Sequence, residues 1–189
     1  MKNRLRKSFV NAAECKHGGK VQEAKRRLGA EPLDFSANIN PLGSPPLKEL
    51  VSRELKQVGH YPDSSYQGFC RAASRFVQVD PGCIVPGNGS SELIRIFAEA
   101  VLEEGDLAII PTPTFGEYEN QSQLAGGRTE RLAIGKDGTP LLRDSDLHRA
   151  KALFLCNPNN PTGRLLSQNQ VHDLADRCEE AEVFLLVDE

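Results

Sequence analysis

The sequence contains no run of about 18 apolar residues, so no segment of it reads as a membrane-crossing helix. Nor does an apolar run follow the basic opening from Lys2 to Lys7, as a secretory signal would require; Ser8-Phe9-Val10-Asn11 and further polar residues come instead. We therefore expect a cytoplasmic protein without a membrane partner. Cysteine is sparse and unpaired. The five, at positions 15, 70, 83, 156 and 178, form no CxxC pair and have no His-rich companion, which argues against a disulfide framework and against a metal centre. There is no excess of basic charge: the formal net charge is −3, and the short basic opening leaves no electrostatic footprint for nucleic acid. Internal repeats are absent as well.

What is present suits a globular domain. Apolar residues make up 39% and charged residues 26% of 189, enough chain for one good-sized core, with room for an appendage. After a short polar opening, helices are expected over about 20–28, 46–57 and 66–76, each with apolar residues on one face. From Ile84 onward the pattern alternates. Short apolar runs at 84–85, 107–110, 131–134, 152–156 and 183–187 read as strands, separated by helices over about 92–102, up to 125 and 168–180. Ser167 with Gln170 is a capping-box signature for the last helix. Such alternation predicts an α/β fold with a mostly parallel sheet flanked by helices.

The carboxyl ends of parallel strands share one edge of a sheet, and four polar stretches fall at those ends: Gly87 to Ser91, Pro111 to Phe115, Cys156 to Gly163, and Asp188. A glycine turn with Ser90 and Ser91 at a helix start suits a phosphate, because backbone N–H groups and the helix dipole face the anion there; it also reads as a plain Ser N-cap. Phe115 can stack on a planar ring or serve as a core phenylalanine. Asn160 offers an amide donor beside Pro161, where a tight turn is the plainer account, and a cis bond before Pro161 is expected. A carboxylate at the end of a buried strand requires a cationic partner, which a protonated ring nitrogen supplies; otherwise Asp188 is the acidic cap of a following helix.

These stretches, Gly87-Asn88-Gly89-Ser90-Ser91-Glu92, Pro113-Thr114-Phe115-Gly116-Glu117-Tyr118, Asn159-Asn160-Pro161-Thr162-Gly163 and Val187-Asp188-Glu189, resemble in order and spacing the fold-type I pyridoxal 5'-phosphate (PLP) enzymes of the class I/II aminotransferase group. Within that group, His17-Gly18-Gly19 and the run from Asp34 to Gly43 resemble the L-threonine-O-3-phosphate decarboxylases of cobalamin biosynthesis. The resemblance implies an organisation of N-terminal arm and substrate-facing loop (1–45), helical small-domain segment (46–80) and an incomplete PLP-binding large domain (81–189). It further implies that Gly89, Ser90 and Ser91 hold the cofactor phosphate, that Phe115 stacks on the pyridine ring, and that Asn160 bonds the ring hydroxyl. Asp188 would keep the ring nitrogen protonated, which makes the ring an electron sink. His17, Gly18 and Asn38, with Asn160, would face a phosphorylated amino-acid substrate. Tyr61 would reach the phosphate of a neighbouring subunit in a homodimer. His17 also reads as a solvent-exposed loop histidine, and Tyr61 as a packed turn aromatic.

The resemblance places the cofactor-bearing lysine and the substrate-binding arginines well beyond the Asp188 strand; Lys136 and Lys151 do not occupy that place. A strand with nothing after it is an odd end for a domain, so we expect a protein that continues and a 189-residue chain that is inactive alone. The alternatives to decarboxylation are PLP-dependent transamination of histidinol phosphate or a related amino acid, and a non-catalytic fragment or dimerising module.

Overall fold

The computed structural model describes residues 6–11 and 19–189. It divides the chain into two compact units: Gly87–Glu189 together with the N-terminal helix α1 (Lys7–Asn11), and a second confined to His17–Pro86.

The larger unit is built on four strands, β1 (Leu107–Thr112), β2 (Arg128–Ala133), β3 (Ala152–Cys156) and β4 (Phe184–Asp188), all parallel and ordered β2-β1-β3-β4. Burial on both faces explains the apolar runs of the central strands, since a two-residue period alternates their side chains between the layers. Ala108, Ile110, Ala152 and Phe154 pack with Ile94 and Ala98 of α5 (Ser90–Val101), with Leu102 just after it, and with Tyr118 of α6 (Glu117–Ala125). Ile109, Leu153 and Leu155 face the other way, onto Leu174 and Cys178 of α8 (Gln168–Glu180) and onto Leu147 of the short α7 (Asp144–Leu147). At α8, Ser167 Oγ accepts from the Gln170 N–H and Gln170 Oε1 accepts from the Ser167 N–H, the expected capping box.

Three sequence expectations are corrected. Ile84-Val85 is not part of the sheet; two apolar residues followed by Pro86, which has no N–H to donate, cannot sustain a ladder. β2 begins at Arg128, earlier than its apolar residues indicate, because it is an outer strand and polar side chains serve there. α7 falls between the strands expected at 131–134 and 152–156, where no helix was expected.

Topology positions the candidate site. The connection from β1 runs through α6 to β2 on one side of the sheet order, while that from β3 runs through α8 to β4 on the other. The adjacent ends of β1 and β3 therefore mark the topological switch point, the place where open α/β sheets commonly bind ligands.

In the second unit, α2 (Val21–Leu28), α3 (Lys48–Glu54) with a 3-10 turn to Gln57, and α4 (Gln67–Val77) match the expected helices. Among the described residues none of this unit is buried. Local polar bonds set its turns. Ser36 donates to Asp34 from both its N–H and its hydroxyl, and the Gly19 N–H donates to Ser36 Oγ at 2.8 Å. Asp63 accepts from Ser65 and from the Gln67 N–H at the start of α4.

Candidate active site

The loop after β3 is a braced hairpin in which neighbouring asparagines have separate tasks. Asn157 is buried; its Oδ1 accepts from the Leu166 N–H at 2.7 Å, and its own N–H donates to the Asp188 carbonyl at 2.8 Å, carrying the β3–β4 ladder one residue further. Asn159 joins this loop to the one after β1. Its Nδ2 donates to the Pro113 carbonyl at 2.9 Å and to Thr162 Oγ1 at 2.8 Å, and its Oδ1 accepts from the Thr114 hydroxyl at 2.9 Å. Two backbone bonds, Gly163 N–H to Asn159 and Asn159 N–H to Arg164, close the turn at 2.7 Å each. Asn160 is different: it is exposed, and its side chain makes no hydrogen bond with the described residues. Asn160–Pro161 is cis, as expected, and so are Thr112–Pro113 and Asn157–Pro158.

Asp188 ends β4, paired in register with Cys156. It is half-buried rather than buried, and its partner is a neutral hydroxyl rather than a cation: Tyr118 donates to Oδ2 at 2.6 Å. Burial first, then the bond to Asp188 and the neighbouring Cys156 thiol, push the Tyr118 phenol far above its ordinary range, so it stays a donor. The Cys156 thiol also donates to the Pro158 carbonyl and accepts from the Asn160 N–H, at 3.4 Å each, tying the loop to the strand it leaves. Phe115 is half-buried, edge-on to Tyr118 with centroids 5.7 Å apart and packed against the α5–α6 side of the core.

The glycine turn enters α5 without the serine cap that is its plainer reading. Gly89 is the N-cap residue, at φ 87° and ψ 170°, a region reserved for glycine, and no side chain caps it. Glu92 instead accepts from the Asn88 N–H and side-chain amide, at 2.6 and 2.9 Å. Ser90 and Ser91 are exposed at the helix start, their hydroxyls without a hydrogen bond to the described residues. Gly89, Ser90, Ser91, Phe115, Asn160 and Asp188 thus all belong to the larger unit. Asn38 and Tyr61 belong to the other, where both are exposed; Tyr61 is not packed in its turn. His17 and Gly18 lie outside the described residues.

Sequence reasoning missed Tyr118, Asn159 and Cys156. Tyr118 was detectable in part, because it lies three residues after Phe115 at a helix start and so on the same face; nothing local indicated its bond to a residue 70 positions away.

Comparison with known proteins gives the family. The model for aminotransferase class I and II matches residues 30–189. Threonine-phosphate decarboxylase of Salmonella typhimurium is 37% identical over 181 residues, covering 92% of this chain and 49% of that protein. Histidinol-phosphate aminotransferase of Ruminiclostridium cellulolyticum is 32% identical over 163 residues, covering 81% and 46%. The chain thus spans about half the length of these relatives. Among solved structures, an aminotransferase from Neisseria meningitidis superposes with a TM-score of 0.80 at 19% identity, covering 98% of this chain and 52% of that one, a likeness of fold. The histidinol-phosphate aminotransferase of Clostridium acetobutylicum gives 0.72 at 25% identity, with 84% and 47% covered. The chain belongs to the class I and II aminotransferase family, of PLP fold type I, whose members depend on pyridoxal 5'-phosphate.

Proposed function

We propose that the protein carrying this chain is a PLP-dependent decarboxylase of L-threonine O-3-phosphate, yielding 1-amino-2-propanol phosphate for cobalamin biosynthesis, and that it works as a cytoplasmic homodimer. The observation that carries this reading is the 37% identity to threonine-phosphate decarboxylase across 92% of the chain. A local feature supports it: Gly19 and Ser36, from the two stretches in which the decarboxylase resemblance lies, are hydrogen-bonded to one another.

The residues of the larger unit fit the cofactor. Asp188 has one oxygen held by Tyr118, leaving Oδ1 without a donor among the described residues. Gly89 has open space where a Cβ would stand, and the exposed hydroxyls of Ser90 and Ser91 share the helix start with unpaired N–H groups. Asn160 has a free amide. When bound, PLP supplies an electron sink for the charge left at Cα as CO2 departs. Asp188 would hold the proton on the ring nitrogen, Asn160 would bond the ring hydroxyl, and Phe115 would cover a ring face. Gly89, Ser90 and Ser91 would bind the phosphate, assisted by Tyr61 of the second subunit. His17, Gly18 and Asn38 would line the substrate side with Asn160.

A second reading, transamination of histidinol phosphate or a related amino acid, is favoured by the 32% identity to histidinol-phosphate aminotransferase. One assay separates the two. The complete protein, loaded with PLP, is expected to release CO2 from L-threonine phosphate and to transfer no amino group from histidinol phosphate to 2-oxoglutarate. Amino transfer without CO2 release would establish the second reading. The third, a non-catalytic module, is tested on the 189-residue chain: we expect no covalent PLP absorbance band, and such a band would contradict inactivity of the chain alone.

A further inference from the structure

Tyr118 is a phenol with 0% exposure, and the proposed chemistry gives its hydroxyl no task. Its ring is fixed from two sides, stacked on Phe154 with centroids 5.5 Å apart and met edge-on by Phe115. A hydroxyl at that depth requires a hydrogen-bond partner. The 2.6 Å bond to Asp188 Oδ2 has the short length of a hydroxyl donating to a carboxylate. In this pair the phenol is the fixed point. Asp188, half-buried at a strand end, has a terminal torsion with broad rotational preference, so the bond is what selects its orientation.

On the reading that this site takes PLP, we infer that Tyr118 is a positioning residue that anchors Asp188 Oδ2 and leaves Oδ1 as the oxygen available to the protonated ring nitrogen. Tyr118 acts through Asp188 and touches neither cofactor nor substrate in this role. The neighbouring Cys156 thiol faces the same hydroxyl but donates to the Pro158 carbonyl, so the phenol proton remains committed to the carboxylate.

The test is a double-mutant cycle on PLP affinity in the complete protein, read by titrating the apoprotein with PLP rather than by turnover. Tyr118→Phe keeps the packed ring and removes the donor. It is expected to weaken PLP binding roughly tenfold, the scale of one hydrogen bond to a charged acceptor. In an Asp188→Asn background the same change is expected to have an effect under about twofold, because the group it positions no longer carries the charge. Equal losses in both backgrounds would show that Tyr118 acts through packing and overturn the inference, as would full affinity in the single Tyr118→Phe variant. Phe154→Leu, which loosens the packing of the Tyr118 ring and keeps its hydroxyl, is expected to lower the unfolding midpoint and to change PLP affinity by less than about threefold; a tenfold loss there would show that packing rather than the donor sets the affinity and overturns the positioning role even where Tyr118→Phe folds poorly. If the unsubstituted protein binds no PLP, the proposed function fails, and this inference with it.

Discussion

Adjacent asparagines in the loop after β3 should respond to the same substitution in opposite ways. Asn159→Ala removes three side-chain hydrogen bonds, to Pro113, Thr114 and Thr162, two of which join the loops leaving β1 and β3. Bonds of this kind contribute about 0.5–1.5 kcal/mol each, and those at an exposed rim fall near the low end, so the loss should be about 2 kcal/mol. For a protein of the relatives' length, about twice that of this chain, this corresponds to a fall of about 2–4 °C in melting temperature. Asn160→Ala breaks no side-chain bond with the described residues and should change stability by no more than about 0.5 kcal/mol. The assay is urea and thermal unfolding of the complete apoprotein, followed by PLP titration of each variant. Asn160→Ala is expected to weaken PLP binding while leaving the unfolding midpoint unchanged. Equal midpoints for the two variants would refute the division of labour, as would a larger loss from Asn160→Ala.

Further outcomes are expected elsewhere in the larger unit. Gly89→Ala meets no atom within 4 Å, yet its φ of 87° with ψ of 170° should make it cost about 1–3 kcal/mol in the same unfolding assay. Asp146 is held below the usual carboxylate range by the Arg143 side chain first, then by the Arg143 N–H and by Arg149. Because its folded pKa is depressed, its contribution is present above the unfolded value of about 4 and lost as pH falls through the folded one; Asp146→Asn should flatten the acid limb of a melting-temperature profile, and an unchanged limb would contradict this. Burial pushes the Cys178 thiol up to about 11, so at pH 8 in the native protein Cys178 should remain unalkylated while exposed Cys83 reacts; mass spectrometry of the alkylated protein checks the order.

How far the sequence revealed the molecule depended on how local each cause was. β1 and β3 were legible because burial of both faces writes an uninterrupted apolar run, and α8 because its capping box lies within four residues. β2 was read late because an outer strand tolerates Arg128 and Glu130, and α7 was missed because four residues carry no periodicity. In the candidate site, the loops were legible as sites of chemistry but not the assignments within them. Nothing in Asn157-Pro158-Asn159-Asn160 distinguishes the two amides that hold the loop from the one that is free, since their partners lie on Leu166, Pro113 and Thr114. Likewise the aspartate at the end of β4 read as needing a cation, and its hydroxyl partner came from α6, 70 residues earlier in the chain.

The distance between Tyr118 and Asp188 along the chain has a consequence for biosynthesis. Their bond spans 70 residues and exists only once β4 has paired with β3. During vectorial synthesis the phenol is made long before the carboxylate, and β1, β2, α6 and β3 can collapse around it first. A nascent chain halted before Asp188 would present the glycine turn and the asparagine loop, with Tyr118 lacking the carboxylate it holds in the folded unit. The pairing of Tyr118 with Asp188 is thereby made conditional on β4 joining β3.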